Sequence, residues 1–341
     1  MIAALNDELR SRALSIQQEE IETIYFGGGT PSLLSKNELE SIFYTIYSNY
    51  TISKNAEITL ECNPDDVTKG ELEVWKNAGI NRLSIGIQSF DPEVLTWMNR
   101  AHTVDQSENS IALAIKEGFE NISIDLMYGL PSLSLADWEL QIKKAISLGV
   151  KHISAYCLTI EPKTKLKAWI ASGKIQEPVH EDQTPQFSLL QQLLIENEFE
   201  HYEISNFAKQ GYISKHNSNY WKGVKYIGIG PSAHSYDENY RSWNIANNKE
   251  YIKGIIEKNP KYEYELLSIK NKYNELILIG LRTKWGIELE KLKKLIPTET
   301  NLKNKIQAFI KEEIGFIDNK HFILTEKGKN WADQIAQDLF V

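Results

Sequence analysis

The sequence predicts an α/β fold: a partial (βα)6 TIM-like barrel lacking its first strand, joined to a C-terminal helical, winged-helix-like region. Two observations lead there. In the first half, short apolar runs rich in β-branched residues recur about every 30 residues, with an amphipathic stretch between successive runs, which is the pattern of a parallel sheet with helical crossovers. Each run also ends on a polar or glycine-rich feature: Gly27-Gly28-Gly29-Thr30, Glu61, Gln88, Asp125 and Thr159. In a barrel all strand ends converge on one face, where a site is built. In the competing doubly wound sheet only the strands beside the switch point would contribute.

The elements follow in order. Residues 2–15 read as the first barrel helix, and the strand runs are 21–26, 57–62, 82–88, 122–127 and 152–159, with a sixth strand left open. Helices are expected near 36–49, 68–78, 103–117 and 134–148, with Gly79, Gly118 and Gly149 placed as C-terminal caps. A linker carrying Pro162, Gly173, Pro178 and Pro185 leads into a helix near 182–197, and residues 200–245 are aromatic and glycine-rich. Beyond 246 the chain turns helical and lysine-rich. It closes with a helix at 301–313, two short strands around Asp318-Asn319 and a helix from about 325. The expected organisation is a barrel over 1–165, a linker and aromatic region over 166–245, and the winged-helix-like region over 246–341.

Composition narrows the function classes. With 341 residues, 42% hydrophobic and 25% charged, the chain can bury a sizeable core. A net charge of −8 argues against a general grip on nucleic acid, although a local basic pocket for an anionic ligand stays open. No apolar stretch is long enough to span a bilayer, and the opening MIAALNDELR has no signal-peptide pattern, so a cytoplasmic address is expected. Two cysteines, Cys62 and Cys157, make no disulfide framework and no iron–sulfur binding run. Cys62 reads as a small buried hydrophobe on a strand.

The strongest local motif is Tyr25-Phe26-Gly27-Gly28-Gly29-Thr30-Pro31. Glycines at a strand end let backbone amides approach a ligand, and a tight turn into the next helix reads equally well from the triplet alone. Its neighbours decide. Glu61-Cys62-Asn63-Pro64-Asp65, Gly86-Ile87-Gln88-Ser89-Phe90, Asn99-Arg100-Ala101-His102 and Ile124-Asp125-Leu126-Met127-Tyr128-Gly129-Leu130-Pro131 follow in that order. The set resembles the oxygen-independent coproporphyrinogen III oxidase-like family of radical S-adenosylmethionine (SAM) proteins, over nearly the whole chain.

The resemblance implies SAM across the open barrel face, at Gly28, Gly29, Thr30, Glu61, Gln88, Arg100, Asp125 and Thr159. Carboxylates at 61 and 125 suit ribose hydroxyls or an ammonium, Gln88 offers a donor and an acceptor, and Arg100 suits a carboxylate. Taken singly, Glu61 could serve a salt bridge and Arg100 a helix cap. A second motif, His216-Asn217-Ser218-Asn219-Tyr220-Trp221, is similar to the HNxxYW signature of the family's haem-chaperone branch. It implies that His216 binds haem beside the flat faces of Tyr220 and Trp221. A packed histidine among aromatics is the plain alternative. His201 and His234 read as hydrogen-bonded loop histidines.

The family also implies a [4Fe–4S] cluster held by a C-x3-C-x2-C loop upstream of the glycines, but the 26 residues preceding Gly27 contain no cysteine. The chain as written is therefore expected to begin after that loop. A late start assignment is preferred to a true truncation, because the SAM positions are intact and a missing strand would leave an unpaired edge. No catalytic residue and no cluster ligand are assigned to the chain itself. The leading expectation is a haem chaperone passing haem to respiratory or other haem proteins, with no nucleic-acid partner and with room for contact at a membrane surface. The alternative is oxidative decarboxylation of coproporphyrinogen III, and a third reading is a cluster-less SAM or tetrapyrrole binder.

Overall fold

The computed structural model describes residues 1–16, 19–131, 133–162, 164–173, 175, 180–297 and 301–341. Pro178 of the expected linker lies outside them. The first half alternates strictly: α1 (Ile2–Ala13), β1 (Glu20–Phe26), α2 (Lys36–Asn49), β2 (Thr51–Cys62), α3 (Lys69–Ala78) and β3 (Arg82–Gln88). It continues with α4 (Pro92–Trp97), α5 (Val104–Lys116), β4 (Asn121–Tyr128), α6 (Leu135–Ser147) and β5 (His152–Cys157). Hydroxyl caps set the helix starts. Thr68, Thr103 and Ser134 each accept a backbone amide of the following turn, and Thr103 and Ser35 form capping boxes with Gln106 and Glu38. The helices at 36–49, 68–78, 103–117 and 134–148 are thus present to within a residue at each end. Helix α4, opened by the Asp91 cap and Pro92, was not anticipated.

The strands form one seven-stranded sheet, ordered β1-β2-β3-β4-β5-β7-β6, where β6 is Glu200–Glu203 and β7 is Asn206–Ala208. The first five are parallel. The open sixth position is filled by a hairpin: β7 runs antiparallel to β5, and β6 antiparallel to β7. Alternation sorts the two faces. Leu60, Cys62, Leu83, Ile85, Ile122, Ile124 and Ile153 pack outward with Trp75, Ile111, Trp138 and Ile142 of the helices, forming the main core. The inner face carries Glu57, Thr59, Glu61, Arg82, Ser84, Ser123, Asp125, His152 and Ser154. It is a polar interior, which suits a ligand rather than a packed barrel centre.

The second half departs further from expectation. The stretch read as a linker contains α7 (Lys165–Ala171), followed by α8 (His180–Glu196). The aromatic region holds a helix, α9 (Lys215–Trp221), and two strands, β8 (His234–Tyr236) and β9 (Tyr240–Asn244). After α10 (Asn248–Ile256), β10 (Tyr262–Leu266) completes an antiparallel sheet in a segment expected to be helical. The period-two run Tyr262-Glu263-Tyr264-Glu265-Leu266 explains it, since pairing with β9 outweighs the surrounding lysine-rich, helix-like composition.

The tail is α11 (Ile269–Leu281), β11 (Ile287–Glu288), α12 (Leu289–Leu295), α13 (Leu302–Lys311), β12 (Gly315–Asp318), β13 (His321–Leu324), α14 (Glu326–Lys329) and α15 (Ala332–Leu339). Its sheet order β11-β13-β12 and its own core around Tyr273, Ile277, Leu292, Ile306 and Phe322 give a winged-helix-like unit. Asn319 and Lys320, both at positive φ, make the tight hairpin turn. The tail docks by backbone pairing: Ile204 N donates to Arg282 O at 3.0 Å and Lys284 N to Tyr202 O at 3.0 Å, covering the outer edge of β6.

Candidate functional site

The C-terminal ends of β1 to β4 meet at the barrel mouth. Tyr25 OH donates to Glu61 Oε1 at 2.6 Å, and Gly28 N to Glu61 Oε2 at 3.3 Å, so Glu61 ties the glycine turn to the neighbouring strand. A Cβ at Gly27 would lie 2.9 Å from the Glu61 carboxyl, and Gly28 sits at φ +76°. Gly29 meets neither constraint: its φ is ordinary, and a Cβ there would have nothing within 4 Å. Thr30 is exposed beside it.

At the end of β3, Gln88 is held at φ +67°, a conformation uncommon for a residue with a side chain and one that tends to mark functional positions. Gly86 makes room for two polar groups, since its Cβ would stand 3.0 Å from Gln88 Nε2 and 3.3 Å from Arg100 Nη2. The Arg100 backbone N–H closes the C-terminus of α4 on Leu95 O at 2.9 Å, and its side chain donates to Asn63 Oδ1 at 2.8 Å and Gly86 O at 3.1 Å. Asp125, on the inner face of β4, has its carboxyl pushed up to about 6. Burial is the main cause and the charge of Glu61 adds to it, while a hydrogen bond with Ser154 opposes them. The structure thus brings Gly28 with Glu61, and Gln88 with Arg100, around one mouth, and couples Glu61 to Asp125 electrostatically. Thr159 stands apart, exposed in the loop beyond the end of β5.

His216 lies on α9, whose N-terminus is held by a residue the sequence reading passed over. Glu57, buried on the inner face of β2, accepts from Lys215 N at 3.0 Å and His216 N at 2.9 Å. A carboxylate at the positive end of a helix is doubly favoured, by hydrogen bonds and by the helix dipole. The His216 ring stacks on Tyr25, with centroids 4.7 Å apart. Its Nδ1 lies 2.9 Å from Thr23 Oγ1 and its Nε2 3.0 Å from Tyr220 OH. Burial, with Arg82 adding, lowers its pKa to about 4, so the ring is neutral at pH 7. At the far end of α9, Arg282 lies 5.4 Å over the Trp221 ring and bridges to Glu203 of β6 at 3.0 Å. Helix α9 therefore spans the open side of the sheet from β1 towards β6.

The other candidate histidines have structural places. His201 is buried between Glu326 Oε2 at 2.6 Å and Ile204 O at 3.1 Å, joining barrel to tail. His234 is exposed and stacks against Trp243 at 5.6 Å. Another unforeseen carboxylate, Glu8, is fully buried. It accepts from Gly230 N, Tyr251 OH and Asn244 Nδ2 at 2.6–2.9 Å and pairs with Arg12 at 3.1 Å, which fixes α1 to the loop carrying Gly228-Ile229-Gly230. Nothing local marks Glu8 or Glu57 in the sequence, because their partners are distant in the chain.

Among the described residues no helix is long and apolar enough to cross a membrane. The radical SAM superfamily model matches residues 5–145. The chain is 36% identical to the haem chaperone HemW of Bacillus subtilis over 286 residues, covering 83% of this chain and 76% of the relative. Against HemW of Lactococcus lactis the identity is 31% over 338 residues, covering 98% and 89%. Among solved structures, the radical SAM coproporphyrinogen III oxidase HemN of Escherichia coli superposes with a TM-score of 0.83, covering 99% of this chain and 82% of that one. At 20% identity that likeness speaks to the fold alone.

Proposed function

Because the chain belongs to the HemW family of radical SAM proteins, we propose that it binds haem and passes it to haem-requiring proteins, respiratory ones among them. The structural observation that carries the reading is α9: a neutral histidine, held by Thr23 and Tyr25, at the open side of a polar half-barrel. In the tautomer whose Nδ1–H donates to Thr23, the Nε2 lone pair faces Tyr220 OH and is the atom that would meet iron. Thr23 then acts as a positioning residue, and Tyr220 and Trp221 border the porphyrin.

SAM fits the mouth in this reading. It brings a carboxylate, an ammonium and ribose hydroxyls. Arg100 suits the first, Glu61 and Asp125 the others, and Gln88 either. Gly28, Gly29 and Thr30 offer backbone and a free hydroxyl, and Thr159 would join only if its loop folds inward. Support comes from Gly29, where the protein itself gives no reason for glycine but close approach of a ligand does. The residues present do not fit a [4Fe–4S] cluster: the chain has two cysteines, and Cys62 is buried in the helix-facing core with its thiol pushed far up by burial.

Haemin titration followed by absorbance tests the proposal. Saturable binding with a defined stoichiometry is expected, weakened at least about tenfold in His216→Ala. An unchanged spectrum and affinity in that variant would remove His216. Conversion of coproporphyrinogen III to protoporphyrinogen IX would replace the chaperone reading by the oxidase one.

A further inference from the structure

Below the mouth, the inner wall carries a polar layer that the reading above does not use. Thr59, Arg82 and Asn121 are successive register partners on β2, β3 and β4. Their side chains share the inner face, since Leu60, Leu83 and Ile122 between them pack outward against the helices. Arg82 is 1% exposed and Thr59 0% exposed. Even so, Arg82 Nε, Thr59 Oγ1 and Asn121 Oδ1 find no hydrogen-bond partner among the described residues. Three buried side-chain polar atoms without a hydrogen-bond partner therefore meet in this one layer. Native interiors rarely tolerate such groups without a reason.

Asp125 senses the charge of Arg82 but forms no ion pair with it and hydrogen-bonds Ser154 instead, and the other nearby carboxylates are engaged elsewhere. Glu57 holds the amides of α9. Glu61 holds Tyr25 and Gly28. Glu203 is taken by Arg282 and Asn206. Among the described residues Arg82 forms no ion pair, and His152 and His216 around it are kept neutral by burial, with the charge of Arg82 adding to the effect. A guanidinium withdrawn from water without a counter-ion is strongly unfavourable, whereas a carboxylate matches its planar fork. Nearer the mouth on the same inner face, Tyr156 is 42% exposed.

We propose that Thr59, Arg82 and Asn121 form an anion subsite on the inner barrel wall that takes a carboxylate of the bound ligand. Thr59 donates its hydroxyl, and the Asn121 amide, turned over, presents its NH2 to the same oxygen. Two ligands of the proposed function carry this chemistry, a tetrapyrrole through its propionates and SAM through its amino-acid carboxylate. The subsite rests on that reading and goes beyond it, because Arg82 lies outside the residues assigned to either.

The test titrates haemin, haemin dimethyl ester and SAM into the wild-type chain, Arg82→Met, Arg82→Lys and Thr59→Val, and records ligand-free melting of each. Arg82→Met is expected to melt no lower than wild type, since it removes an unpaired buried charge. It should bind haemin at least about tenfold more weakly while leaving the dimethyl ester unaffected. Arg82→Lys and Thr59→Val should lose less. Loss of SAM affinity alone assigns the carboxylate to SAM and leaves the subsite standing. Unchanged affinities for both ligands in Arg82→Met overturn the proposal. So do unchanged affinities in Arg82→Lys and Thr59→Val together, should the methionine variant not fold. If the wild-type chain binds neither haemin nor SAM, the functional reading fails first and the subsite with it.

Discussion

Gly27, Gly28 and Gly29 stand side by side and answer to different constraints: contact with Glu61, a positive φ and open space. Gly27→Ala is therefore expected to destabilise the protein by pushing on the Tyr25 ring and on Glu61. Gly29→Ala should keep the wild-type melting temperature and weaken SAM binding, as thermal melting and calorimetric titration of both variants would read out. Asp125 gives a pH-dependent test. Its folded pKa of about 6 exceeds the ordinary 3.8, so its stabilising contribution is present below pH 3.8 and lost as pH rises through 6. Asp125→Asn should then melt above wild type at pH 8, by the equivalent of about 3 kcal/mol at most, and the difference should vanish near pH 4. Equal melting at both values would mean that the Asp125 carboxyl titrates normally.

At the scale of elements, α9 shows how a short motif acquires a place. Its own sequence supplies a Ser214 cap and aromatic rings, but its seat comes from Glu57 on β2 and Thr23 on β1. Glu57→Gln keeps the size of the side chain and removes the charge from the helix N-terminus. The variant should lose roughly 1–2 kcal/mol of stability and bind haemin more weakly than wild type, without touching His216 itself. Wild-type haemin affinity in this variant would show that α9 needs no anchoring from β2. The barrel helices were legible because caps and C-terminal glycines are local signals. The hairpin β6–β7 and the sheet β8–β10 were not, because their short strands are stabilised by partners rather than by their own pattern.

Among the described residues two large hydrophobic cores are joined at a polar seam, with a smaller cluster around Leu9, Ile42 and Ile46 where α1 meets α2. Backbone pairing of residues 282–284 with 202–204 and the His201–Glu326–Lys329 cluster hold the tail to the barrel. Although burial acts to raise it, the His201 hydrogen bond and charge, aided by Lys329, hold the Glu326 carboxyl down at about 2. Its contribution is thus present above the ordinary 4.5 and is lost as pH falls through about 2. Glu326→Gln should melt below wild type at pH 6, with the two curves converging towards pH 2. Scanning calorimetry of that variant should also show the single transition broadening as the two cores uncouple. A gap in melting temperature that persisted unchanged into acid would assign the seam to packing rather than to this charge cluster.

By itself the sequence determined the parallel βα succession, the boundaries of the four helices at 36–49, 68–78, 103–117 and 134–148 and the polar ends of β1 to β4. These depend on periodicity, caps and alternation within a few residues. Tertiary structure alone decided that His216 rests on Thr23, 193 positions away in the chain, and that Glu8 lies buried among four donors. It also decided that Arg82 is buried inside the barrel with its Nε lacking a hydrogen-bond partner among the described residues. Those facts concern which charges are withdrawn from water and what then lies within hydrogen-bond reach. Neither is written in local pattern, because both are set by how distant segments close upon one another.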